Sequence, residues 1–415
     1  MKIITTSDWH LGNLFHGNDR LPEHKHFLAW LLDQIREHKP DALLVAGDIF
    51  DNGNPSAAAQ SAYYAFLAQA NEACPQMQVI ITAGNHDSAS RLEAPRMLLT
   101  RHNVEVRGTI SHVYQQNEDG RQRLVDYDDL MIPVTDSEGH EVIVLAVPFL
   151  RSDVLQGASY SEGVNTFLRT LTDEARTKYP SRPLVMMAHM YAKGAEIAQE
   201  GASEKIIIGG QEEVNMEGWH DHPDYMTCGH IHKRQHIWHT NWARYTGSIL
   251  PMSFAEVDYH HGVDLVTIDG KNINVDFLAY EHQHKLCTLP KDDTPMSPKK
   301  LQKLIKAELT DRVDGRLSDS YPYLTLKVSM DKVDNDAIRE LEELVATKDA
   351  VLCRIQKIMP NIDVTTMHGG ERIQSLDDIV NRDPIDTLRE AYAIKHQTEM
   401  SEHQEQMLRD LLNEE

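Results

Sequence analysis

Five short segments of this 415-residue chain carry side chains suited to metal chemistry: Asp8-Trp9-His10, Gly47-Asp48-Ile49-Phe50-Asp51, Gly84-Asn85-His86-Asp87, His189, and Gly229-His230-Ile231-His232. Asp8 with His10, and His230 with His232, stand two residues apart, a spacing at which extended backbone aims both side chains the same way. Asp48 offers a carboxylate able to bridge two cations, Asn85 a neutral amide oxygen, and His189 completes a mixed nitrogen and oxygen set. With no cysteine among them, these donors suit manganese or iron better than a structural zinc. Two such ions about 3.5–4 Å apart activate a water and clamp a phosphate during in-line displacement. The chain has 23 histidines, so a single one says little, and His24, His102 and His260 read as surface residues. The weight lies in all five segments occurring together, each directly after an apolar run.

Those apolar runs are the elements that must position the donors. Ile3 to Thr6, Ala42 to Ala46, Val79 to Ala83, Glu141 to Val147, Leu184 to Ala188, Tyr225 to Cys228 and Asp264 to Ile268 read as strands. Helical spacing of Phe27, Trp30, Leu31, Gln34 and Ile35 predicts a helix over Phe27 to Glu37, and a second spans Ser56 to Ala73. Alternating strands and helices indicate a layered α/β domain, in which ligands gather beyond the carboxyl ends of the strands. A polar, proline-rich connector runs from Leu289 to Pro298. Beyond it, helices at Lys299 to Leu309 and Asp336 to Thr347, with strands at Tyr323 to Val328 and Val351 to Ile358, predict a small α+β unit. From Ser375 the chain reads as amphipathic helix, with 12 acidic and 5 basic residues between Glu371 and Glu415.

Composition narrows the function classes. Charged residues at 25% and aromatics at 7% exclude a disordered or collagen-like polymer. No apolar run approaches the roughly 20 residues of a membrane-spanning helix. The N-terminus enters a strand-like pattern at once, which argues against secretion. Four scattered cysteines, Cys74, Cys228, Cys287 and Cys353, fit a reducing cytoplasm. With 41 Lys+Arg against 64 Asp+Glu, the net charge of −23 argues against strong autonomous binding of nucleic acid. It leaves nucleic acid open as a substrate, because bound cations and a partner subunit can supply positive charge.

Together, D-x-H, G-D-x-x-D, G-N-H-D, a strand-terminal His and G-H-x-H resemble the calcineurin-like metallophosphoesterase superfamily. Four further stretches, Thr6 to Gly12, Ala46 to Asp51, Pro148 to Arg151 and Gly247 to Phe254, are similar to the SbcD family of bacterial exonuclease subunits, relatives of the double-strand-break repair nuclease. The resemblance runs over nearly the whole chain. It implies a metallophosphoesterase sandwich over residues 1–285, a small α+β capping domain over 286–370, and a helical segment over 371–415 that docks on the coiled coil of an SbcC-type ATPase. It also implies that Asp8, His10, Asp48 and His232 hold one metal, and that Asn85, His189 and His230 join Asp48 on the other. Mn2+ is the best fit for both positions, with Mg2+ or Fe2+ as alternatives.

In this family His86 faces the scissile phosphate, where a histidine can stabilise or protonate the departing sugar oxygen. Asp51 departs from the archaeal and eukaryotic relatives, which usually carry histidine there. An Asp51–His86 hydrogen bond favouring the imidazolium is the expectation. Asp87 is expected to cap the next helix, Arg91 and Arg96 to lie on a solvated helix face or touch phosphate, and Tyr245 and Ser248 to shape the backbone. The implied activity is 3′-to-5′ exonuclease action on duplex ends with endonuclease cutting of single strands and hairpins, in recombination, replication and repair. The implied assembly is a cytoplasmic homodimer, paired through helices near Ser56 to Ala73 and after Ser88, within a two-plus-two complex. Two alternatives remain: a general metallophosphoesterase acting on phosphoproteins or small phosphoesters, and a DNA-end tethering scaffold.

Overall fold

Apolar runs of five or six residues are too short for helices, and when they carry no alternation they need cover on both faces. The computed structural model describes residues 1–117, 120–155, 157, 159–197, 213–238, 240–330 and 334–358, and gives those runs that cover. In one six-stranded sheet, Lys2–Thr6, Ala42–Ala46, Gln78–Thr82 and Val104–Arg107 lie parallel, and Gly262–Asp269 and Asn272–Ala279 add an antiparallel edge beside Lys2–Thr6. In a second, Glu141–Ala146, Leu184–His189, Tyr225–Gly229 and Ala243–Tyr245 are parallel, flanked by antiparallel Met131–Thr135 and Gln235–His236.

The two sheets face one another. Ile3, Leu44 and Ile80 of the first pack with Val144, Val185, Met187 and Tyr225 of the second in one buried cluster. The alternate side chains of the first sheet, among them Ile4, Leu43, Val45 and Ile81, meet Phe27, Leu31 and Ile35 of helix Leu21–His38 and Tyr63 and Phe66 of helix Ala57–Ala73. Those of the second, Ile143, Leu145, Leu184 and Met186, meet Val164, Phe167, Leu168 and Leu171 of helix Tyr160–Lys178. Each such aliphatic or aromatic side chain, fully buried, contributes about 1.5–3 kcal/mol. The result is the layered sandwich that the strand rhythm predicts.

Helix boundaries follow local chemistry. The first helix starts six residues before the expected Phe27, at Leu21, with Pro22 in its first turn, and it ends where Lys39 turns left-handed (φ 45°). Ser56 caps the second helix by accepting from the Ala59 N–H at 3.2 Å, and Ser159 caps the third from Glu162 at 3.2 Å. Residues 286–358 contain a three-stranded parallel sheet, Leu286–Leu289, Tyr323–Ser329 and Val351–Ile358, where two strands were expected. Helices Pro298–Glu308 and Asn335–Ala346 make its crossovers, burying Leu301, Ile305, Ile338, Leu341 and Val345. The amphipathic C-terminal helices expected from Ser375, and the end of the expected 286–370 unit, lie outside the described residues. Among the described residues, no helix is long and apolar enough to cross a membrane.

Candidate metal centre

Every one of the five segments leaves the carboxyl end of a parallel strand. Asp8 and His10 follow Lys2–Thr6, Asp48 and Asp51 follow Ala42–Ala46, and Asn85 and His86 follow Gln78–Thr82. His189 ends Leu184–His189, while His230 and His232 follow Tyr225–Gly229. Three of these strands belong to the first sheet and two to the second, so the donors meet where the strand ends of both sheets come together.

Asp48 is the hub. Its Oδ2 lies 3.3 Å from His189 Nε2 and 3.7 Å from His10 Nε2, and its Oδ1 accepts the His86 backbone N–H at 2.8 Å. Asn85 Oδ1 lies 3.0 Å from both His189 Nε2 and His230 Nδ1. Donor atoms of Asp8, His10 and His232 lie within 4.8 Å of one another, as do those of Asp8, Asp48 and His189, and those of His10, Asp48 and His86. Asp8, His10, Asp48, Asn85, His189, His230 and His232 therefore share one crevice.

The backbone is strained to achieve this. Asp8, His10, Asp48 and His230 all adopt left-handed φ angles, 51°, 46°, 49° and 97°. Non-glycine residues rarely take that conformation, and it concentrates at functional sites. Close approach of the loops also requires glycine: a Cβ on Gly84 would stand 2.1 Å from Asp48 Oδ1, and one on Gly47 2.2 Å from His189 Nδ1.

The donor chemistry calls for a cation. His189 Nδ1 donates to the Ala46 carbonyl at 2.9 Å, so in the neutral ring Nε2 is an acceptor. It nevertheless faces Asn85 Oδ1 and Asp48 Oδ2, which are acceptors too. His10 is 2% exposed, and neither of its ring nitrogens has a hydrogen-bond partner among the described residues. Burial alone would lower the His189 pKa, but the Asp48 carboxylate beside it pushes it up to about 9. Burial would raise Asp48, yet His189 and His10 hold it well below the usual carboxylate range. Burial and then His189 push His230 down to about 3. These buried acceptors, arranged around shared space, fit divalent cations.

Around this core several expectations need correction. His86 Nδ1 does bond to Asp51, at 2.8 Å, but to its backbone carbonyl and not its carboxylate. The Asp51 carboxylate instead accepts from Asn13 Nδ2 at 2.8 Å and lies 3.6 Å from His10 Nδ1. The loop carries Asp51 past His86 with its side chain turned towards His10. Asp87 does not cap a helix; Ser88 occupies the N-cap of the short helix Ala89–Glu93. The Asp87 carboxylate, 3% exposed, accepts the backbone N–H groups of Ile49, Phe50 and Gly84 at 3.1, 3.0 and 2.9 Å, tying the Asp48 loop to the Asn85 loop. Burial, with Asp48 nearby, pushes its pKa up to about 6.

Arg91 bonds to Gly53 and Asn54, and Arg96 to Glu93 and Asp129, so both are engaged within the fold. Tyr245 donates to the Met190 carbonyl at 2.9 Å and accepts from Ala192 N–H at 2.7 Å, and Ser248 donates to the Leu250 carbonyl at 2.8 Å, the backbone-shaping part expected of them. His24 is wholly buried, against the surface expectation, whereas His102 and His260 are exposed. The signal was present, since His24 sits in register with Leu21, Leu28, Leu31 and Ile35 on the buried helix face. Burial, with Arg20 and His10 nearby, pushes its pKa down to about 3.

Comparison with known proteins gives this geometry a family. Residues 1–234 match the family described as calcineurin-like phosphoesterase. The Rhodobacter capsulatus SbcD subunit of the SbcCD nuclease is 34% identical over 376 residues, spanning 88% of this chain and 87% of that one. The SbcD subunits of Escherichia coli K12 and Bacillus subtilis 168 are 31% identical over 294 residues and 29% over 269. They share 66% and 64% of this chain, and 68% and 66% of their own lengths. The chain thus belongs to the calcineurin-like phosphoesterases and, within them, to the SbcD family of SbcCD nuclease subunits.

Proposed function

We propose that the chain is the nuclease subunit of an SbcCD-type complex and hydrolyses DNA phosphodiesters in a two-metal centre. The observation that carries this reading is the meeting of seven acceptor side chains from both sheets, Asp48 at their centre, in a chain whose relatives are named as nuclease subunits. Asp8, His10, Asp48 and His232 would hold one ion and Asn85, His189 and His230, with Asp48, the other. Bound there, such ions supply Lewis acidity to the phosphate and activate water for in-line attack.

The protein supplies position. Asp48 is held by the His86 N–H, and Asp87 ties its loop to the Asn85 turn. The Asp51 carbonyl accepts from His86 Nδ1, which fixes the ring and leaves Nε2 as the position from which a ring protonated on both nitrogens would pass its proton to the departing sugar oxygen. That bond constrains orientation without adding a carboxylate charge to the imidazole.

Manganese is our choice of metal, on the mixed nitrogen and oxygen donors. An SbcC-type ATPase would bring the positive track that a chain of net charge −23 lacks. Pairing of two copies has support in apolar residues left outside: Tyr64 on Ala57–Ala73 and Met97 and Leu98 on Arg96–Leu99 are 39%, 87% and 69% exposed. The setting would be the cytoplasm. The test mixes the full chain, alone and with the ATPase, with Mn2+, a labelled hairpin-ended duplex and a small chromogenic phosphodiester. DNA cutting lost in His86→Ala with metal content retained supports the nuclease. Activity confined to the small ester supports a general phosphoesterase, and a metal-loaded chain inert on both refutes catalysis.

A further inference from the structure

Three of the histidines at the crevice bring Nδ1 to a further group, and what meets it differs. His189 Nδ1 meets a backbone carbonyl and His10 Nδ1 the half-buried Asp51 carboxylate. His232 Nδ1 lies 3.5 Å from Oε1 of Glu256, a residue 24 positions later that is wholly buried. Glu256 is itself fixed: Oε2 accepts the Met252 N–H at 2.8 Å, and Oε1 accepts the Ser253 hydroxyl at 3.1 Å. The loop bearing these partners is anchored in turn, because the buried Arg20 donates to the Pro251 carbonyl while bonding Glu23, which accepts from Tyr323 of the small sheet at 3.0 Å. These contacts, joined through the backbone at Pro251 and the part-buried Met252, link the small sheet to Glu256 and on to His232.

We propose that Glu256 is a positioning residue for the metal centre: it holds His232 as the Nδ1–H tautomer, so that Nε2 presents its lone pair to an ion. This rests on the two-metal reading above. A carboxylate behind a ligating histidine fixes its ring and raises its basicity, and losing such a partner costs about 10–100-fold in metal affinity. Glutamine cannot reproduce the arrangement. Its one oxygen can serve the Met252 N–H or His232, and an amide NH2 turned to His232 selects the opposite tautomer, with a proton on Nε2.

Mn2+ binding to the full chain, followed by calorimetry and by loss of the free-ion EPR signal, tests this. Wild type binds two ions. Glu256→Gln weakens one of them about 10–100-fold and leaves the other within twofold. Glu256→Asp recovers part of the loss, and in a His232→Ala background Glu256→Gln adds nothing further. Unchanged binding in Glu256→Gln overturns the proposal, and so does an undiminished effect of that substitution without His232. Should Glu256→Gln fail to fold, nitrogen-15 spectra of histidine-labelled wild type decide: an Nδ1–H tautomer at His232 supports the proposal, and Nε2–H overturns it. A wild-type chain that binds no ion refutes the two-metal reading itself, a different result from two ions indifferent to Glu256.

Discussion

Arg20 is 0% exposed, and what it does can be measured by taking away its charge. Its Nε and one terminal nitrogen each lie 2.9 Å from an oxygen of Glu23, itself 1% exposed, and its other terminal nitrogen donates to the Pro251 carbonyl. The guanidinium carbon stands 5.0 Å from the centroid of Phe15 and 5.8 Å from that of Tyr323. Arg20→Met keeps most of the apolar stem and strips the charge, leaving Glu23 as a buried carboxylate bonded to the Tyr323 hydroxyl at 3.0 Å. Removing one partner of a buried pair costs about 3–5 kcal/mol, because the other charge remains desolvated. Unfolding entropy near 2.1 cal/mol/K per residue gives roughly 0.75 kcal/mol per kelvin for the compact unit Met1–Ile358, so the melting temperature should fall by about 4–7 °C.

Arg20→Met/Glu23→Leu removes both charges and should recover much of that loss, since well-packed apolar substitutes often match a buried pair. Calorimetric and urea unfolding of the full chain measure both variants. A loss under about 1 kcal/mol for Arg20→Met would refute the reasoning, as would a double variant no more stable than Arg20→Met itself.

Three further outcomes follow from the site. His86→Ala should cut DNA turnover by about 10²–10⁴ with two ions still bound, read by steady-state cleavage and metal analysis side by side. Gly84→Ala should weaken metal binding at least about tenfold, because a Cβ 2.1 Å from Asp48 Oδ1 must push the hub carboxylate aside; a calorimetric titration matching wild type would count against that geometry. Metal affinity should rise with pH. The Asp48 carboxylate, opposing the effect of burial, holds His189 near pKa 9, above its ordinary 6.5, so the metal-free ring is protonated at pH 7 and an entering ion must displace that proton. Affinity then climbs about tenfold per pH unit between 7 and 9 and levels off above, with near one proton released at pH 7. Calorimetry in buffers of differing ionisation enthalpy reads the proton count, and a flat profile would contradict the acceptor-on-acceptor arrangement.

The local sequence was enough to find the strands that carry the metal-centre donors, and the donors that follow them. A run such as Leu184–His189 has no helical period and no polar face, so it can only be a buried strand, and a polar residue at its end must emerge at the sheet's edge. The helical period also puts His24 on the buried face of helix Leu21–His38, one turn before Leu28. Hydrogen-bond partners were a different matter. Asp87 meets N–H groups 37 and 38 residues away as well as that of neighbouring Gly84, and the Arg20 guanidinium reaches a carbonyl 231 positions on. Whether Asp51 offers His86 its carboxylate or its carbonyl depends on the course of one loop. Residue types and their order specify what chemistry a chain carries. Only the packed fold decides which atom of each residue turns into the crevice, because desolvation favours buried donors and acceptors that meet partners, and which partners lie within reach depends on how the two sheets come together.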